Sequence, residues 1–101
     1  MILVYAPLAQ QDIQEIGDYV ANFLQNKTAG KKIVKDIVKG CLSLKEQPQL
    51  GMSFRERTGW NFDFRYLVVS NYLVFYKVVG QEIRVYRVLD SRTDYIKKLI
   101  K

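Results

Sequence analysis

Phe64-Arg65-Tyr66-Leu67-Val68-Val69-Ser70-Asn71-Tyr72-Leu73-Val74-Phe75-Tyr76-Lys77-Val78-Val79-Gly80-Gln81-Glu82-Ile83-Arg84-Val85-Tyr86-Arg87-Val88 is the stretch on which the fold of this chain turns. β-Branched and aromatic residues fill three runs, Phe64 to Val69, Tyr72 to Val79 and Glu82 to Val88, so each reads as a strand. Ser70-Asn71 and Gly80-Gln81 separate them as two-residue turns, and a leading glycine suits a type II′ hairpin. Many positions are apolar on both faces, as in the central strands of a covered sheet. Ser53 to Arg57 is expected to add an edge strand. Within the last run a period-two count puts Ile83, Val85 and Arg87 on one face and Arg84, Tyr86 and Val88 on the other. An arginine in line with core residues is expensive to bury unpaired, so Arg87 either emerges at the end of the sheet or lines a functional groove.

Upstream, Ile2 to Tyr5 is a short strand-forming run, and Pro7 stands where the first turn of a helix tolerates a missing N–H. Leu8, Ile13, Ile16, Tyr19, Val20, Phe23 and Leu24 then recur at three- and four-residue spacing, which predicts an amphipathic helix. The pattern breaks around Gln25-Asn26-Lys27-Thr28 and restarts from Ala29 to Leu44 as a second helix, with Lys31, Lys32, Lys35 and Lys39 on its solvated side. Pro48 and Gly51 end it, and the short connection makes the two helices an antiparallel hairpin. Tyr95, Ile96, Leu99 and Ile100 suggest a short terminal helix. The expected architecture is α+β in a single domain over residues 1–101: an N-terminal strand, the helical hairpin packed on a 3–4-stranded mainly antiparallel sheet, and the C-terminal helix.

Charge is placed rather than scattered. Residues 1–50 hold six lysines against five acids, whereas residues 51–101 hold ten basic residues against five acids and carry all six arginines. That asymmetry suits a polyanionic target or an acidic protein partner. With no histidine and one cysteine, the chain lacks the usual zinc ligands and cannot build a Ser-His-Asp or Cys-His pair. No Gly-rich phosphate loop is present. Neither metal nor cofactor is expected. Cys41, on the apolar face of the second helix, reads as a core residue. No window approaches the roughly 18 apolar residues of a membrane span, and the N-terminus has no exported leader, so a cytoplasmic protein that avoids the membrane is expected.

Four segments in order carry a resemblance: Tyr5-Ala6-Pro7-Leu8-Ala9-Gln10-Gln11-Asp12-Ile13-Gln14-Glu15-Ile16; Leu42-Ser43-Leu44-Lys45-Glu46-Gln47-Pro48-Gln49-Leu50-Gly51; Arg65 to Val69 followed by Tyr72 to Tyr76; and Val85 to Tyr95. Together they make nearly the whole chain resemble the RelE/ParE superfamily of bacterial toxins. The resemblance implies the toxin of a type II toxin–antitoxin module, neutralised by a cognate antitoxin and able to arrest growth. Two activities share this fold, RelE-like cleavage of messenger RNA on the ribosome and ParE-like inhibition of DNA gyrase, so shape does not choose between them. Leu73 stands where the RelE-like pattern carries an arginine beside the reactive phosphate. This favours the ParE-like branch, with gyrase as target, over the alternative, a metal-independent endoribonuclease acting with ribosome and mRNA. A degenerate member that binds antitoxin without toxicity is the third reading.

Under the RNA-cleaving alternative, Glu56 is the base candidate, Arg65, Arg87 and Arg92 are the electrostatic stabilisers, and Tyr95 is the stacking residue. Under the binding reading, Trp60, Arg65, Arg84, Arg87, Arg92 and Tyr95 are the candidate contacts to target or antitoxin. All but Arg84 have a plainer role beside them, Trp60 as a cap on the core. Glu56 between Arg55 and Arg57 suits a solvated turn, Tyr95 suits the core, and Arg65 and Arg87 suit anchors within the fold. Arg87 and Arg92 also have Asp90 and Asp94 as internal salt-bridge candidates.

Overall fold

The computed structural model describes residues 1–99. It contains a five-stranded sheet in the order β1-β5-β4-β3-β2, with β1 (Ile2–Tyr5), β2 (Met52–Ser53), β3 (Arg65–Val69), β4 (Tyr72–Val79) and β5 (Glu82–Asp90). β1 runs parallel to β5, and the other neighbours are antiparallel. Helix α1 (Pro7–Asp18) continues into a π-helical turn over Tyr19–Phe23, and α2 (Lys27–Ser43) returns beside it. α3 (Phe54–Thr58) and α4 (Tyr95–Leu99) complete the fold; Ile100, expected on the last helix, lies outside the described residues.

The apolar runs on both faces of the central strands are explained by two cores. Ala9, Ile13, Ile37, Cys41 and Leu44 of the hairpin bury Tyr72, Val74, Tyr76, Ile83, Val85 and Val88 on one side of the sheet. On the other side Phe54, Tyr66, Leu73, Phe75 and Leu89 cluster, covered by Phe62, Phe64, Tyr95 and Leu99. Cys41 is fully buried, and burial pushes its thiol pKa up, as expected of a core cysteine. Asn26 caps α2 by accepting the Ala29 N–H at 3.0 Å.

The structure corrects the sequence reading in three places. The expected strand Ser53 to Arg57 is almost wholly helix: Ser53 ends the two-residue β2 and caps α3, its hydroxyl accepting the Glu56 N–H at 3.3 Å, and Gly59 closes the turn at φ 78°. The expected core face of the first helix ends early. In the π turn the Leu24 N–H reaches back five residues to the Tyr19 carbonyl at 3.2 Å, which widens the turn and rotates the pattern outward. Tyr19 and Phe23 are consequently 50% and 74% exposed, stacked on each other at 5.1 Å.

The third correction concerns Arg87. Phe75 pairs with Arg87 but Tyr76 pairs with Val85, so Tyr86 is an extra residue, a β-bulge. The bulge resets the alternation. Val85 and Val88, three positions apart, both face the hairpin, and Arg87 leaves the core line that the strict period-two count assigned to it.

Candidate functional site

Arg87 turns to helix α1. Its Nε and Nη2 donate to Asp12 Oδ2 and Oδ1 at 2.8 and 2.9 Å, while the Val88 N–H donates to the same Asp12 Oδ2 at 2.9 Å. Beyond Tyr5 the edge of β5 loses its parallel partner, and the Asp12 carboxylate takes the place of a strand carbonyl there. Nη1 also donates to the Lys98 carbonyl at 3.1 Å. The hydrogen bonds it donates to Asp12 hold the guanidinium more firmly protonated than usual, against the opposing effect of desolvation. Arg87 is thus an anchor.

Arg65 is an anchor of a second kind. Its Nη2 donates to the Gly51 and Gln49 carbonyls at 2.6 and 3.2 Å, and its Nε donates to Gly51 at 3.1 Å. Beside it the fully buried Tyr76 hydroxyl donates to the Pro48 carbonyl at 2.8 Å and accepts the Gly51 N–H at 2.9 Å. The two side chains pin the turn that carries the chain from the hairpin to β2.

The exposed arginines are paired locally. Arg84 donates to Glu82 at 2.8 Å, and Arg92 makes two contacts to the Asp90 carboxylate at 3.0 and 2.9 Å. Asp94 pairs instead with Lys97, at 3.6 Å. The Arg92 hydrogen bond, offset in part by burial, holds the Asp90 carboxyl below its usual range. A carboxylate with a depressed folded-state pKa contributes stability above the unfolded value, and that contribution disappears as pH falls through the folded value. Arg92→Gln is therefore expected to lower the urea midpoint at pH 7, with the gap to wild type closing below about pH 4. A gap independent of pH would show that the pair contributes nothing through Asp90.

The remaining candidates divide between core and surface. Tyr95 packs its ring 5.8 Å from Phe75 and closes the second core. Glu56 is exposed on α3. Trp60 is 46% exposed and stacks on Phe62 at 5.9 Å with an interplanar angle of 15°. Leu73 is buried in the second core and forms, with Met52, Tyr66 and Val68, the apolar lining of a hollow rimmed by Arg57, Ser91 and Tyr95.

The candidate catalytic residues do not share one hollow. Arg65, Arg87, Arg92 and Tyr95 border four different hollows, and Glu56 borders none of these. Among the described residues no group of three metal-ligating side chains comes together, and no helix is long and apolar enough to cross a membrane.

The outer face of the helical hairpin offers a different surface. A groove of about 780 Å³ runs between α1 and α2, floored by Ile13, Gly17, Ala21, Gly30, Val34 and Val38 and edged by Lys27, Lys31 and Lys35. Gly17 and Gly30 let the helices approach, since a Cβ on Gly30 would stand 2.8 Å from the Gly17 carbonyl oxygen. The sequence places Lys31 and Lys35 on a solvated face and Lys27 in the break between the helices, but it does not show the groove, which depends on how closely the two helices meet.

Comparisons with known proteins agree with this architecture. No curated protein sequence matches the chain. A solved structure, the chromosomal ParDE toxin–antitoxin system from P. aeruginosa, is similar in fold, with a TM-score of 0.74 and 22% identity over 89% of this chain and 95% of that one. Residues 3–95 match the family described as the ParE toxin of the type II toxin–antitoxin system parDE. The chain belongs to the ParE toxin family.

Proposed function

We propose that this chain is the toxin of a type II toxin–antitoxin module, acting in the cytoplasm, and that it arrests growth by binding DNA gyrase without chemistry of its own. One observation carries the preference for binding over RNA cleavage: Arg65, Arg87 and Arg92 are each tied to partners inside the molecule, while Leu73 makes the neighbourhood of Tyr95 apolar. Metal-free cleavage of RNA needs free cations converging on one phosphate, together with a base and an acid. Scattered, internally paired guanidinium groups do not supply that cluster.

The lysine-edged groove between α1 and α2 fits the antitoxin half of the reading. An amphipathic helix would lay its apolar face along Ile13, Val34 and Val38 while its carboxylates met Lys27, Lys31 and Lys35. Purified toxin is expected to block gyrase-driven supercoiling, to be relieved by the antitoxin, and to leave translated messages intact. Message cleavage in the ribosomal A site without an effect on gyrase would replace this reading with the nuclease. Antitoxin binding with neither activity would identify a degenerate toxin.

A further inference from the structure

Four of the six arginines are occupied within the molecule; the other two, Arg55 and Arg57, have no ion-pair partner among the described residues. Both are exposed on α3, just ahead of the chain's only tryptophan. Trp60 is half in water yet firmly placed. Thr58 Oγ1 donates to the Phe54 carbonyl at 2.8 Å and accepts the Trp60 N–H at 3.1 Å. The indole stacks on Phe62, whose ring lies 6.1 Å from the buried Phe54. Among the described residues no hydrogen bond or ion pair engages the two guanidinium groups.

Tryptophan and arginine dominate the energetics of protein interfaces, and a side chain already ordered in the free protein loses little entropy on docking. We propose that Arg55, Arg57 and Trp60 form the contact by which the toxin grips its protein target, at a surface bearing carboxylates and an apolar recess for the indole. This inference rests on the gyrase-binding reading and deepens it. Charge complementarity selects the occupant: two unpaired guanidinium groups suit bidentate pairing with carboxylates. A nucleic-acid track fits less well, because Glu56 is exposed between the arginines and the indole's stack runs inward to Phe62 rather than outward along the surface. The α1–α2 groove takes none of its lining from this segment, so target and antitoxin would occupy separate surfaces.

The test compares wild type, Trp60→Ala, the double variant Arg55→Gln/Arg57→Gln, and Lys32→Gln as a surface control, each assayed for thermal melting, antitoxin co-purification and inhibition of gyrase supercoiling. Trp60→Ala and the double variant are expected to need on the order of tenfold more protein or beyond for half-inhibition, while binding antitoxin as wild type does. The double variant changes only exposed side chains, so it decides the matter if Trp60→Ala folds poorly. Undiminished inhibition by the double variant overturns the inference and leaves the gyrase reading standing. Failure of wild type to inhibit gyrase removes that reading, and this inference with it. Binding of labelled duplex DNA by wild type without gyrase, lost in both variants, would assign the patch to phosphates and overturn the protein partner.

Discussion

Asp12→Ala is expected to destabilise this protein by about 3 kcal/mol or more, the range for breaking a buried ion pair by removing one partner. The size follows from what the carboxylate holds. Both its oxygens accept from Arg87, one also accepts the Val88 N–H, and the side chains are only 9% (Asp12) and 20% (Arg87) exposed. Alanine strands a guanidinium and a backbone donor together at the edge of the central sheet. For a domain whose whole stability is about 5–15 kcal/mol, that is a large fraction. Urea denaturation should show the loss directly. Asp12→Asn, which keeps acceptor capacity but not charge, should fall between alanine and wild type. Arg87→Ala should cost much less in the Asp12→Ala background than alone. A change within about 1 kcal/mol for Asp12→Ala would mean that the bulge at Tyr86 holds Arg87 in place without its partner. Loss of toxicity in Arg87 variants is accordingly expected to track loss of folded protein rather than loss of a target contact.

Gly51→Ala is expected to be comparably damaging for a steric reason. A Cβ there would stand 2.6 Å from the Tyr66 carbonyl oxygen and 2.7 Å from both the Cε1 and the hydroxyl of Tyr76. Tyr76 is fully buried and cannot swing away. Overpacking of this kind costs about 1–3 kcal/mol. Displacing the Tyr76 hydroxyl from Gly51 N–H and the Pro48 carbonyl adds about 1–3 kcal/mol for buried groups left unpaired. Tyr76→Phe isolates the second part, since it keeps the ring and removes only the hydroxyl. If Gly51→Ala melts with wild type, the Pro48–Gly51 turn has room that these distances deny it.

The three central strands and both hairpin turns were legible because their signals are local: apolar runs, two-residue separators, and a leading glycine at Gly80, which adopts φ 60°. The bulge was not legible, because a count along β5 contains no sign that Asp12, 75 positions earlier, would draw Arg87 sideways. The π turn escaped for the opposite reason. Tyr19, Phe23 and Leu24 keep a flawless helical spacing, and only the altered backbone turns them to solvent. Ser53-Phe54-Arg55-Glu56 did carry a readable sign, a serine with glutamate three positions on, the mark of a helix start.

The candidate site shows the same division between local and distant information. Arginine identity suggested contact surfaces, yet Arg65 and Arg87 are held by residues far away in sequence, and the sequence alone does not show which cations are already occupied. Arg55 and Arg57 drew attention only as the flanks of Glu56. Their availability emerges by elimination, once the other four are seen to be paired.

The parallel pairing of β1 with β5 bears on how the protein comes into being. β1 has its sheet partner at residues 82–85, so it cannot pair until β5 has been made. Such long-range closure is slow and late compared with formation of the helical hairpin. A nascent chain stopped before residue 82 lacks β5 and the Arg87 that meets Asp12, so neither its sheet nor its edge can close. The groove between α1 and α2, built wholly from residues 10–38, needs none of this, so the surface proposed for the antitoxin can be complete before the sheet around β5 closes.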